Sequence, residues 1–143
     1  MYTIFELQPL DGSGPIDASR VERAWVRLVA RHTTLRTILV SSAQRYIQVV
    51  MKRMVPVAKT IQCADSEVLP VFRKYLSDDL PLDQYILHRL TLTSTESGRV
   101  FGMIELHHAI GDKGAQDMLE AELDALYHAD QPLANSPPST VTT

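Results

Sequence analysis

Residues 100–127 read VFGMIELHHAIGDKGAQDMLEAELDALY, and this stretch decides the fold. Val100 to Leu106 is mostly apolar and of strand length, so it reads as a strand. From about Lys113 to Tyr127 the pattern changes to helical steps, with Met118, Leu119, Glu122, Leu123 and Leu126 tracing one side. Strand passes into helix through His107-His108-Ala109-Ile110-Gly111-Asp112. Two adjacent histidines thus stand where a strand ends, and an aspartate between Gly111 and Gly114 stands where a helix begins.

Upstream, Ile86 to Leu92 is a second strand, joined to the first by the polar segment Ser94-Thr95-Glu96-Ser97-Gly98, which suits a hairpin. Ser66 to Leu76 reads as a helix with Val68, Val71, Phe72 and Tyr75 on one face and Pro70 in its first turn. Pro81-Leu82-Asp83 is a connection. Leu35 to Val40 and Tyr46 to Val50 pair as a hairpin, and Val55 to Ile61 is a further short strand weakened by Pro56. Before these, Val21, Ala24, Trp25, Leu28 and Val29 form one apolar helix face, opened by Asp17 or Ser19 as cap, with Asp17 favoured. Residues 2–8 read as the first strand and residues 9–15 as a loop. The order β-α-β-β-(β)-α-β-β-α gives an α+β fold, a mixed β-sheet with helices packed on one face. Residues 1–128 are expected to form one lobe, and residues 129–143, rich in Pro, Ser and Thr, a tail or linker.

Composition excludes several classes. The chain has 143 residues, 14 Lys and Arg against 17 Asp and Glu, and a net charge of −3. Binding nucleic acid by bulk charge needs a basic face, and the longest basic cluster is Lys52-Arg53. No stretch is long and apolar enough for a membrane span, so no membrane partner is expected. Cys63 is the only cysteine, which excludes an intramolecular disulfide and favours a reducing, cytoplasmic setting. Cys63 itself reads as a small packing residue rather than a nucleophile.

The histidine segment is the candidate for chemistry. Strand alternation would point His107 and His108 to opposite sides, which disfavours one metal ion held by both, and no metal is expected. His108 is either a core imidazole satisfied by a carbonyl or a general base facing a cleft. Asp112 is either a helix N-cap or a buried carboxylate paired with an arginine. A serine triad lacks G-x-S-x-G, Gly12-Ser13-Gly14 is too short for a phosphate cradle, Asp78-Asp79 reads as solvated or capping, and Met51 and Met54 read as packing residues.

Two segments together resemble a known family. His107 to Asp112 is similar to the HHxxxD core of condensation domains from nonribosomal peptide synthetases, shared across the chloramphenicol-acetyltransferase-like superfamily. Arg31-His32-Thr33-Thr34-Leu35-Arg36-Thr37 is similar to their RHxxLRT motif, and it stands in the family's order after an amphipathic helix. The resemblance covers roughly residues 2–128 and is fungal in style. It implies one chloramphenicol-acetyltransferase-like lobe, the N-terminal one. The implied function is a share in amide (or ester) bond formation between carrier-protein-bound acyl thioesters. His108 matches the catalytic histidine and His107 the structural one. Asp112 matches the aspartate that anchors the loop by a salt bridge, with Arg36 as the expected partner and Arg31 second. Backbone N–H groups near Gly111 are the implied oxyanion donors. No cofactor is bound directly; phosphopantetheine arrives on the carrier (thiolation) domains, the implied partners.

The sequence departs from that pattern at Lys113, where the motif has glycine and a long side chain could obstruct the carrier arm. It is also too short for both lobes and lacks the helix that precedes the first strand in the family. These departures imply an incomplete domain, inactive as an isolated lobe, with an apolar face open to a C-terminal lobe or to self-association. The alternatives are a stand-alone acyl-CoA-dependent O- or N-acyltransferase of the same superfamily, and an inactive remnant serving as an interaction module.

Overall fold

A computed structural model describes residues 1–10, 14–76 and 86–129. Gly12-Ser13, Asp78-Asp79, the Pro81-Leu82-Asp83 connection and nearly all of the expected tail lie outside the described residues.

Strands β1 (Tyr2–Leu7), β6 (Val100–Leu106), β5 (His88–Thr95) and β4 (Ala58–Cys63) form a sheet in the order β1-β6-β5-β4. β4 runs parallel to β5 and the other pairs are antiparallel, so the sheet is mixed as expected. β2 (Thr37–Ser42) and β3 (Arg45–Val50) form a separate two-stranded sheet. Helix α1 spans Ala18–Arg31, α2 Val68–Tyr75 and α3 Lys113–Ala129.

The sheet sorts its residues by parity, because successive side chains point to opposite faces. Val100, Ile104 and Leu106 of β6, Leu90 and Leu92 of β5, and Phe5 and Leu7 of β1 meet Val21, Trp25 and Leu28 of α1 and Leu119 and Leu123 of α3 in the main core. Asp17 caps α1, its Oδ1 accepting from the Ser19 N–H at 3.0 Å and the Ser19 hydroxyl at 2.7 Å. All five residues of the expected apolar face of α1 are buried.

The two long helices therefore share one face of the sheet. The short α2 covers the opposite face, where Val68 and Phe72 pack on Met103 with Phe101 and Leu76 beside them. That face also holds Glu105, 2% exposed, whose carboxylate takes both Nε and Nη2 of Arg89 at 2.8–3.1 Å, while Arg89 Nη2 also donates to the Tyr75 carbonyl. Gly102 allows β1 and β6 to pair tightly: a Cβ there would stand 2.6 Å from the Phe5 ring.

Several boundaries differ from the sequence reading. Leu35 and Arg36 lie in a 3-10 turn, Thr34–Arg36, and β2 begins only at Thr37. β4 begins at Ala58, beyond Pro56, which has no N–H to give a ladder. On α3 the buried positions are Gln116, Leu119, Leu123, Leu126 and Tyr127, whereas Met118 is 51% exposed.

Candidate active site

The ladder between β5 and β6 runs one residue past β6, with the His107 N–H donating to the Leu87 carbonyl at 2.8 Å. The chain then turns at once, the Ile110 N–H donating to the His107 carbonyl at 3.0 Å. The His107 ring folds back on this turn, its Nδ1 accepting from the Ala109 N–H at 2.9 Å. That contact places the proton of the neutral ring on Nε2. His107 is thus occupied in shaping the turn and is half-buried, whereas His108 is exposed. Both histidines lie beyond the end of β6, in the turn, so strand alternation does not govern them.

Gly111 closes the turn against the strand below it. A Cβ at this position would come within 2.9 Å of Leu106 Cδ1 and 3.4 Å of Ala115 Cβ. Asp112 then starts α3: its Oδ1 accepts from the Ala115 N–H at 2.9 Å and its carbonyl from the Gln116 N–H at 3.0 Å. A helix start leaves amide groups unpaired and carries partial positive charge, so a carboxylate is well placed there.

The expected ion pair is not formed. Among the described residues no salt bridge joins Asp112 to Arg36 or Arg31, and Asp112 is exposed. Arg36 is buried and its Nη1 donates to the Met51 carbonyl at 2.6 Å, while the Met51 N–H donates to the Arg36 carbonyl at 2.7 Å. It therefore ties the mouth of the β2–β3 hairpin. Arg31 Nη1 meets Glu122 Oε1 at 3.1 Å, and His32 Nε2 lies 2.5 Å from Glu122 Oε2. The arginine segment is thus fastened to α3 at Glu122, nearly three turns (~2.8 at 3.6 residues per turn) beyond the histidine turn, through a glutamate that sequence reasoning placed only on a helix face. Lys113 points along α3, its Nζ 3.2 Å from Asp117 Oδ1 and 81% exposed, so its charge lies along the helix surface.

His88 is a second residue that the sequence reading passed over. It is 1% exposed, its Nε2–H donates to the Leu35 carbonyl at 2.7 Å, and its ring meets Trp25 edge to face with centroids 5.6 Å apart. Burial pushes its pKa down to about 4, opposed by the bond to Leu35. The only signal available in the sequence was a histidine in step with Leu90 and Leu92 on one face of a strand whose other residues include Arg89 and Thr91.

Comparison with known proteins bears directly on this arrangement. The family model named Condensation domain matches residues 9–141. The chain belongs to the condensation-domain family. It is 31% identical over 141 residues to Nonribosomal peptide synthetase 1 of Aspergillus fumigatus, covering 95% of this chain and 2% of that protein. Nonribosomal peptide synthetase easA of Emericella nidulans is 36% identical over 129 residues, covering 86% of this chain and 2% of that protein. In fold, it is similar to the condensation domain of chain release from the enacyloxin polyketide synthase, with a TM-score of 0.68, 22% identity, 97% of this chain and 27% of that one covered. The condensation-domain family expected from the two segments is thereby shown, and these two relatives are fungal, as the style of the intervening segments led us to expect. The chain spans only a small part of the curated relatives it matches.

Proposed function

We propose that this chain carries the histidine turn of a condensation reaction in nonribosomal peptide synthesis. In that reaction an amine held by one carrier protein attacks the acyl thioester held by another. The nitrogen bonds to the carbonyl carbon, the C–S bond breaks, and the amine proton passes by way of the His108 imidazole to the departing thiolate. A hydroxyl nucleophile gives an ester by the same steps. His108 acts as the proton acceptor or as the group that holds the nucleophile and steadies the tetrahedral intermediate. Backbone N–H groups around Gly111 are the candidate oxyanion donors. Phosphopantetheine enters as the arm of each substrate, delivered by carrier domains.

One observation carries this reading: His108 is exposed on a turn in which His107, Gly111 and Asp112 are each fixed by a specific backbone or packing contact. Family membership supports the reaction class. Reconstitution tests it. The polypeptide that contains this chain, supplied with two carrier-loaded substrates, is expected to yield the condensed product on the acceptor carrier. Turnover from soluble acyl-CoA without carriers would replace this reading with the stand-alone acyltransferase.

A second reading, an interaction module without turnover, is favoured by Lys113 in the place of the motif glycine and by the missing guanidinium at Asp112. Carrier binding without product formation would select it.

A further inference from the structure

The arginine segment and the histidine turn lie some seventy residues apart in the chain, yet one buried side chain touches the scaffolding of both. We propose that His88 is a positioning residue that couples the Leu35–Arg36 turn to the His107–Asp112 turn through its imidazole.

The path is continuous. Nε2–H of His88 donates to the Leu35 carbonyl at 2.7 Å, within the 3-10 turn that also places Arg36. On its own strand His88 stands directly across from Leu106, and parity puts both side chains on the α1 and α3 face. Leu106 is the residue against which Gly111 closes the histidine turn. One residue before His88, the Leu87 carbonyl accepts the His107 N–H. A change in the ring's position thus reaches the turn by two routes, through Leu106 packing and through the Leu87 carbonyl.

Chemistry argues that the imidazole is there for its hydrogen bond. An apolar side chain would fill the same space without desolvating two ring nitrogens. Nδ1 is buried with no hydrogen-bond partner among the described residues, so the ring keeps one polar atom unsatisfied to place the other on Leu35. Trp25, fully buried, holds the ring edge to face and fixes its rotation.

This proposal rests on the preceding reading only for its meaning in catalysis; the coupling is a property of this chain and is measured without turnover. Amide hydrogen exchange is followed in the 143-residue chain at pH 7 for wild type, His88→Phe and His88→Gln. Phe keeps the packing on Trp25 and loses the donor, whereas Gln can return an N–H to the Leu35 carbonyl. In His88→Phe, exchange at His107, Ile110, Leu35 and Arg36 is expected to accelerate at least tenfold. Thr95, at the far end of β5, should keep its wild-type rate. The His107 ring nitrogens should also move toward the tautomer mixture of free histidine in long-range proton–nitrogen spectra. His88→Gln should return the four amides to within about threefold of wild type. If His88→Phe does not fold, His88→Asn supplies the same loss, since its amide falls short of Leu35. Unchanged rates at the two turns would overturn the proposal. So would acceleration of Thr95 by the same factor, which would mark a residue of general stability only, or a Gln variant that behaves as Phe does. Absence of condensation by the wild-type protein would end the catalytic reading and leave these rates to decide the coupling.

Discussion

At the residue scale, burial decides what each histidine and carboxylate can do. His88 must stay neutral, because protonating Nδ1 would place a charge beside Trp25 with no acceptor. Its folded pKa of about 4 lies below the ordinary value of 6.5. The unfolded chain therefore binds the proton first as the medium is acidified. The contribution is fully present above pH 6.5 and is lost as the pH falls toward 4, by about 3 kcal/mol in all. Urea denaturation at pH 7 and pH 4.5 should show this loss in wild type, and His88→Phe should remove most of the difference between the two pH values. Asp112 behaves differently, since its carboxylate is exposed and serves one amide group. Asp112→Ala should cost about 1 kcal/mol, the size of a lost cap, and Asp112→Ser should recover most of it. A loss of about 3–5 kcal/mol would instead indicate a buried ion pair broken on one side.

Among the elements, legibility followed local chemistry. The apolar face of α1 was readable because a helix writes its burial into the sequence at every third and fourth residue, and all five expected positions are buried. Pro56 told where β4 could not begin. The exposure of Met118 was not readable, because a methionine satisfies an apolar pattern whether or not a partner faces it. Nor was the role of Arg36: the motif order suggested Asp112 as its partner, but the 3-10 turn aims the guanidinium at the Met51 carbonyl. A lone His in a strand, such as His88, carries no sequence signal of the carbonyl fifty-three residues away that it holds. The β2–β3 hairpin shows a local conflict of another kind. Its turn places Ala43 and Gln44 at φ 45° and 67°, the left-handed region, where neither residue rests easily. Gln44→Gly should therefore raise stability by about 1 kcal/mol in thermal melts. No change, or a loss, would mean that the turn adopts another conformation in solution.

Over the whole molecule, the two long helices and α2 enclose the four-stranded sheet, while the β2–β3 hairpin stands apart from it. Tyr46, Ile47 and Val50 on β3 are each more than half exposed. Apolar surface of this kind favours a partner, either the remainder of a condensation domain or a second copy of the chain. Sedimentation velocity of the 143-residue chain should show association that grows with concentration, and Ile47→Lys should reduce it. A monomer at all concentrations would remove self-association through this face. The hairpin also bears on the site, because Arg36 joins its mouth to the segment that His88 grips.

The account as a whole depends on His108 being the group that handles the nucleophile. The most direct measurement is the single-turnover rate of amide formation between two carrier-loaded substrates, comparing the polypeptide that carries this chain with its His108→Ala variant. A loss of at least ~100-fold, with circular dichroism and carrier affinity unchanged, is the predicted result. Equal rates would contradict it and move the chemistry away from the histidine turn.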